Sequence, residues 1–153
     1  MSTSFRHSAG FGKRMEYYII SKMLEQGLDV YIPLIDDFAI DAVIRREDGT
    51  FIEVQIKARS KNVQFGDAAL FAAITHEVRE NYYFIFYSHR LDKMWIMSSV
   101  EFITEATQNK NGKNKGKRSI WFNGKNTKEE SEHPLKRYDK YLHANFDIFK
   151  VRA

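Results

Sequence analysis

Three side chains able to do polar chemistry fall close together in residues 36–59, which read DDFAIDAVIRREDGTFIEVQIKAR. Asp41 is an anionic oxygen donor. The Gln55 amide carbonyl and the Ile56 main-chain carbonyl are neutral ones. Hard oxygen donors of this kind suit Mg²⁺ or Mn²⁺, which keep several waters and bind phosphate. Lys57 places a positive charge two residues beyond Gln55. It could orient or deprotonate an attacking water, or stabilise charge developing on a phosphate. Glu53 is a further acid on the same run; its competing role is an ion pair with Arg45 or Lys57.

These groups work together only if the chain folds them onto one surface. Along an extended strand, side chains alternate between two faces. Over residues 51–59, Ile52, Val54, Ile56 and Ala58 form an apolar face, while Glu53, Gln55, Lys57 and Arg59 share the other. Over residues 38–45, Phe38, Ile40, Ala42 and Ile44 form the apolar face, and Asp41 belongs to the opposite one. Residues 47–50, Glu-Asp-Gly-Thr, are turn material between the two. A two-residue turn at Asp48–Gly49 would pair Asp41 with Ile56 and set a carboxylate against the core, at a cost of several kcal/mol by the usual scale. An odd-length turn centred near Asp48 instead pairs Asp41 with Gln55 and Val43 with Glu53. The pattern selects this second register and gathers Asp41, Glu53, Gln55 and Lys57.

The remaining elements follow from periodicity. Residues 11–26 carry Phe11, Met15, Ile19 and Met23 at helical spacing, and Gly27 stops the helix. Glu16 shares a stripe with Ile20, Met23 and Leu24, so it can face the sheet as an outer carboxylate; its simpler role is a first-turn charge favoured by the helix dipole. Strands are expected at 29–33, 82–87, 93–97 and 119–122. An Ala-rich helix is expected at 67–79. Ser98-Ser99-Val100-Glu101 has capping-box spacing and starts a helix to about Thr107. A last helix is expected at 138–150. Alternating strands and helices make an α/β domain with a central mixed sheet flanked by helices. The 153 residues suit one domain, and nothing repeats or divides the chain.

Charge is unevenly placed. With 24 Lys+Arg and 20 Asp+Glu the net charge is +4. Residues 109–118, NKNGKNKGKR, hold five of those cations and no acid, so the rest of the chain sits at 19 − 20 = −1. A Gly/Asn/Lys tract cannot pack a core and reads as a flexible surface loop. Lys110, Lys113, Lys115, Lys117 and Arg118 could neutralise phosphates of a polyanion. Lys13 and Arg14 near the N-terminus, and Arg59, could do the same. The plainer reading is a solubilising loop. Cysteine is absent, which excludes disulfides, thiolate zinc sites and thiol nucleophiles. The five histidines show neither HxH nor HExxH spacing. Gly10–Lys13 lacks a phosphate-loop frame, and no Gly-x-Ser-x-Gly elbow exists. The aromatic run 82–87 reads as core. No stretch approaches the ~20 apolar residues of a membrane span, and residues 1–10 lack the apolar core of a secretion signal. A cytoplasmic setting is the expectation.

The arrangement resembles the PD-(D/E)XK nuclease superfamily: a helix bearing Glu16, a strand bearing Asp41, then Gln55-x-Lys57 on the next strand. The resemblance covers residues 11–73. It implies a restriction-endonuclease-like αβββαβ core, Mg²⁺-dependent phosphodiester hydrolysis (Mn²⁺ serving as well) and a DNA substrate, with Glu16, Asp41, Gln55 and Lys57 as site residues and Asp41, Gln55 and Glu53 around the metal. Many nucleases of this kind act as dimers to cut two strands, so the resemblance allows a homodimer, although no residue pattern here reports an interface. No proline precedes Asp41, and Gln55 stands where the family usually has an acid. The Gln-x-Lys variant is similar to that of certain homing endonucleases and of bacterial nuclease-like domains. Loss of one negative charge weakens metal binding unless Glu53 or Glu16 compensates. The leading reading is therefore a metal-dependent nuclease. The alternatives are a catalytically inactive nucleic-acid-binding module on the same scaffold and a protein-interaction domain.

Overall fold

The computed structural model describes residues 5–35, 37–126 and 131–150. The first four residues of the basic N-terminal segment and Asp36 lie outside them. The first element is α1 (Phe5–Glu25), which begins six residues ahead of the expected start. Met15, Ile19, Ile20 and Met23 form its buried stripe. Gly27, at φ 82°, ends it: Gly27 N–H donates to Leu24 O and Leu28 N–H to Met23 O, the paired bonds of a Schellman cap.

The strands follow as β1 (Asp29–Tyr31), β2 (Ala42–Arg45), β3 (Phe51–Arg59), β4 (Leu70–Ile74), β5 (Tyr82–Ser88) and β6 (Lys93–Ser98). Then come α2 (Ser99–Glu105), β7 (Thr107–Gln108), β8 (Arg118–Trp121), β9 (Asn123–Asn126), β10 (Ser131–Pro134), and two short 3₁₀ turns, Lys136–Tyr141 and Asp147–Phe149. The central sheet has the order β1-β2-β3-β5-β6. It is mixed, because β3 and β5 run parallel while the other pairs are antiparallel. A three-stranded sheet, β4-β8-β7, and the β9–β10 hairpin complete the topology.

Each face of the central sheet carries its own core. On one side, α1 and the C-terminal Phe146 and Phe149 pack on Ile52, Val54, Ile56, Tyr83 and Ile85. On the other, α2 and the small sheet cover Tyr82, Phe84, Phe86, Trp95 and Met97 through Phe71, Ile120, Phe122 and Phe102. Every residue of β5 is buried, as a central strand covered on both faces requires. The run 82–87 is thus core, as its apolarity indicated.

Two expected helices are absent. Over 67–79 the chain forms β4, which pairs with β8 through Leu70↔Trp121 and Phe71↔Ile120. The ladder is irregular between Phe71 and Ile74, where Ala73 takes φ 58° and its N–H donates to Ser119 Oγ at 3.1 Å. Pairing with β8, and burial of Phe71 and Ile74 in the core against the central sheet, outweigh the weak helical preference of the alanines. The step from β3 to the parallel β5 is therefore made without a helix. Over 138–150 only the two 3₁₀ turns form. Here the backbone is claimed by the edge strand: Trp95 bridges Leu142 and His143 N–H donates to Met94 O. The expected strand at 38–45 is shortened to β2, because Phe38 and Ala39 are left-handed, at φ 54° and 55°. The capping box holds: Ser98 Oγ accepts from Glu101 N–H, and Glu101 Oε1 from Ser98 N–H.

Candidate active site

The β2–β3 turn sets the register that the site needs. Arg46 N–H donates to Thr50 O at 2.7 Å, so the loop is Glu47-Asp48-Gly49, three residues centred on Asp48. Gly49 takes φ 86°, the left-handed position of a three-residue hairpin. Asp48 Oδ1 accepts from both Thr50 N–H and Thr50 Oγ1. The ladder pairs Val43 with Glu53 and Ala42 with Val54, the odd-length register chosen above.

One step further, β2 parts from β3 at Asp41. Its N–H still donates to Val54 O at 2.8 Å. Its Oδ2 accepts from Ile56 N–H at 2.7 Å. The carboxylate thus replaces the missing strand partner and rests against β3 between Gln55 and Lys57. Both of those residues project from the same face of β3 and are half-buried. Lys57 has no hydrogen-bond or ion-pair partner among the described residues. An ammonium held half-buried in this way is available to a phosphate or a water.

Glu16 reaches the site from the other side of the sheet edge. It lines one small cleft with Asp41, Ile32, Pro33 and Ile40, and pairs with Lys13 at 3.0 Å. Glu53 pairs with Arg79 Nη2 at 3.1 Å, not with Arg45 or Lys57. Arg79 also donates through Nη1 to Phe38 O at 2.6 Å, and its guanidinium lies 4.4 Å from the centre of the Tyr82 ring. Tyr82 Oη lies 2.6 Å from Ala39 O and 2.9 Å from Gln55 Oε1. Burial, with Asp41 and Glu53 nearby, pushes the Tyr82 phenol up despite Arg79, so it stays protonated as a donor. His76 stacks on Tyr82 and meets Ser99 Oγ at 2.7 Å. Its pKa falls to about 4, first through burial and then through Arg79 and Arg118.

Arg79 and Tyr82 had no sequence signal as site residues. The first lies in the stretch read as helix, and the second is 1% exposed and looks like core. Their distance from Gln55 along the chain is closed only by the parallel β3–β5 pairing, which sets Glu53 opposite Tyr82 and Gln55 opposite Phe84.

Among the described residues no group of three or more His, Cys, Asp or Glu gathers as a metal cluster. The donors here are the Asp41 carboxylate, the Gln55 amide oxygen and the Ile56 main-chain carbonyl, with the Glu16 carboxylate in the same small cleft as Asp41. That sparse all-oxygen set fits a hard cation that keeps most of its waters, and does not fit zinc.

The basic residues fall into two groups. Arg14 and Arg59 line a cleft of about 320 Å³ with His7, Lys61 and His89, and among the described residues no acid lines it. Arg59 Nε also donates to Asp67 O at 3.3 Å. Residues 109–117 close the β7–β8 hairpin through main-chain bonds between Asn109 and Lys117 and from Gly116 to Asn109. Lys110, Lys113 and Lys115 are exposed there, and Lys117 and Arg118 are half-buried. No helix among the described residues is long and apolar enough to cross a membrane.

Among solved structures, the bacterial homing endonuclease I-Ssp6803I is similar, with a TM-score of 0.59 at 20% identity over 90% of this chain and 90% of that one. No curated protein matches the chain. The fold is restriction-endonuclease-like, with a central mixed sheet and flanking helices. The PD-(D/E)XK endonuclease family pattern matches residues 7–121, which include Glu16, Asp41, Gln55, Lys57 and the basic hairpin. The chain belongs to the PD-(D/E)XK endonuclease family.

Proposed function

We propose that the protein is a divalent-metal-dependent endonuclease that hydrolyses DNA phosphodiester bonds. The observation that carries this reading is the docking of the Asp41 carboxylate on Ile56 N–H, between Gln55 and Lys57. Asp41, the Gln55 amide oxygen and the Ile56 carbonyl would hold Mg²⁺, with Mn²⁺ able to substitute. Glu53 is tied to Arg79 and contributes charge to the surroundings; Glu16 supplies a carboxylate from α1. When bound, the cation supplies Lewis-acid stabilisation of the phosphate and a nucleophilic water. Lys57 orients that water and offsets charge growing on the phosphate oxygens.

Arg14 and Arg59 hold the strand beside the scissile phosphate, and the basic hairpin, with Lys13, meets phosphates further away. Cutting both strands of a duplex calls on a second site, which a homodimer would provide. A DNA substrate and a cysteine-free chain suit the cytoplasm.

The test is incubation with supercoiled, linear and single-stranded DNA in Mg²⁺, Mn²⁺ or EDTA. Cutting is expected with either metal, none in EDTA, and none in Asp41→Ala. Equal cutting by Asp41→Ala would remove the site assignment. Salt-sensitive binding without cutting would leave the inactive binding module as the function.

A further inference from the structure

Two consecutive non-glycine residues, Phe38 and Ala39, are held left-handed immediately before the Asp41 segment. L-residues visit that region rarely and seldom in succession, so the surroundings must enforce it. The enforcing groups are visible. The carbonyl of Phe38 accepts from Arg79 Nη1, and Tyr82 Oη sits on the carbonyl of Ala39, each at 2.6 Å. Arg79 is itself fixed three more ways: by Glu53, by the Tyr82 ring, and by its own N–H donating to Ser99 Oγ at 2.9 Å.

Tyr82 has one phenolic proton and two oxygens within reach, Ala39 O and Gln55 Oε1. A main-chain carbonyl can only accept, so it takes the proton. The amide then satisfies the phenol oxygen only as a donor, through Nε2. The two arms of an amide have the same shape, so turning it over preserves the packing. Gln55 then presents Oε1 away from Tyr82, available to a ligand.

We propose that Arg79 and Tyr82 are positioning residues of the nuclease site. They lock the left-handed turn that aims Asp41 at β3, and Tyr82 sets the Gln55 amide with its oxygen free for a cation. The phenol thus makes a neutral Gln serviceable where the family usually has an acid. This rests on the nuclease reading for its purpose, but not for its geometry.

The test uses the ¹⁵N-labelled full chain without DNA. In the wild type, the Gln55 side-chain NH₂ signals are expected to be shifted and slow to exchange. In Tyr82→Phe they move to solvent-like values, and the Ile56 amide exchanges about tenfold faster while core amides of β5 do not change. Mn²⁺ alone is then titrated, following broadening at Gln55 and Ile56. The concentration for half-effect is expected to rise about tenfold or more in Tyr82→Phe, as when groups that orient a metal ligand are removed. Arg79→Gln raises Ile56 exchange without moving the Gln55 side-chain signals, and Arg79→Lys falls between it and the wild type. Unchanged Ile56 exchange and Mn²⁺ response in a folded Tyr82→Phe chain would overturn the proposal. If Tyr82→Phe does not fold, unchanged Ile56 exchange in Arg79→Gln overturns it. A wild type that takes up no Mn²⁺ would refute the nuclease reading, while Ile56 exchange still decides whether the turn is locked.

Discussion

Lys57 and His76 are two cationic residue types handled in opposite ways. Lys57 stands half-buried, with no partner among the described residues, on the face of β3 where Asp41 docks. Under the proposed function its charge serves the phosphate. Replacing it with alanine is expected to lower kcat by about 10²–10³-fold, the usual loss for one stabilising donor, with metal-free DNA binding changed little. Single-turnover cleavage together with a binding isotherm in EDTA measures both. His76 is packed between Tyr82, Phe84 and Phe102 and kept neutral, with its pKa lowered to about 4 from 6.5. The unfolded chain therefore takes up this proton before the folded one does as pH falls. The stability contributed by neutral His76 is complete above about pH 6.5 and is lost between there and pH 4. Urea midpoints over that range should fall less steeply for His76→Phe than for the wild type; parallel slopes would contradict the assignment.

At the scale of elements, the β2–β3 hairpin decides whether there is a site at all. Side chains alternate with period two, so one residue more or less in the turn would send Asp41 to the core face. Gly49 makes the three-residue turn possible through its positive φ. Only Arg45 Nη2, at 3.8 Å, would meet an added Cβ, so the cost of Gly49→Ala is backbone strain. It should be about 1–2 kcal/mol in chemical unfolding. At the other sheet edge, Ser98→Ala removes the cap of α2 and should cost about 1 kcal/mol by the same measurement. Both devices were legible in the sequence: alternation together with the cost of burying Asp41 selected the register, and Ser-x-x-Glu marked the cap. The segment 67–79 was not legible. Its alanines favour a helix locally, whereas the edge of β8, which claims it as a strand, arises some forty residues later.

Across the whole molecule, one face of the central sheet is sealed by α1. The other carries both the site and the small sheet with its basic hairpin. That places five of the cations on the layer stacked over the site-bearing face. Neutralising Lys110, Lys113, Lys115, Lys117 and Arg118 is expected to flatten the salt dependence of DNA binding, by up to about 0.9 in logarithmic slope for each phosphate no longer neutralised. An unchanged slope would reduce the hairpin to a solubilising feature.

Residue type and period two were enough to define the acid, the amide and the ammonium, their shared surface and their resemblance to a nuclease, because those are properties of neighbours along a strand. The tertiary structure alone supplied Arg79 and Tyr82, the left-handed turn at Phe38–Ala39, and the replacement of the middle helix by β4. Each of these depends on a partner brought from another part of the chain by parallel pairing or by packing between layers, and no local pattern encodes such a meeting.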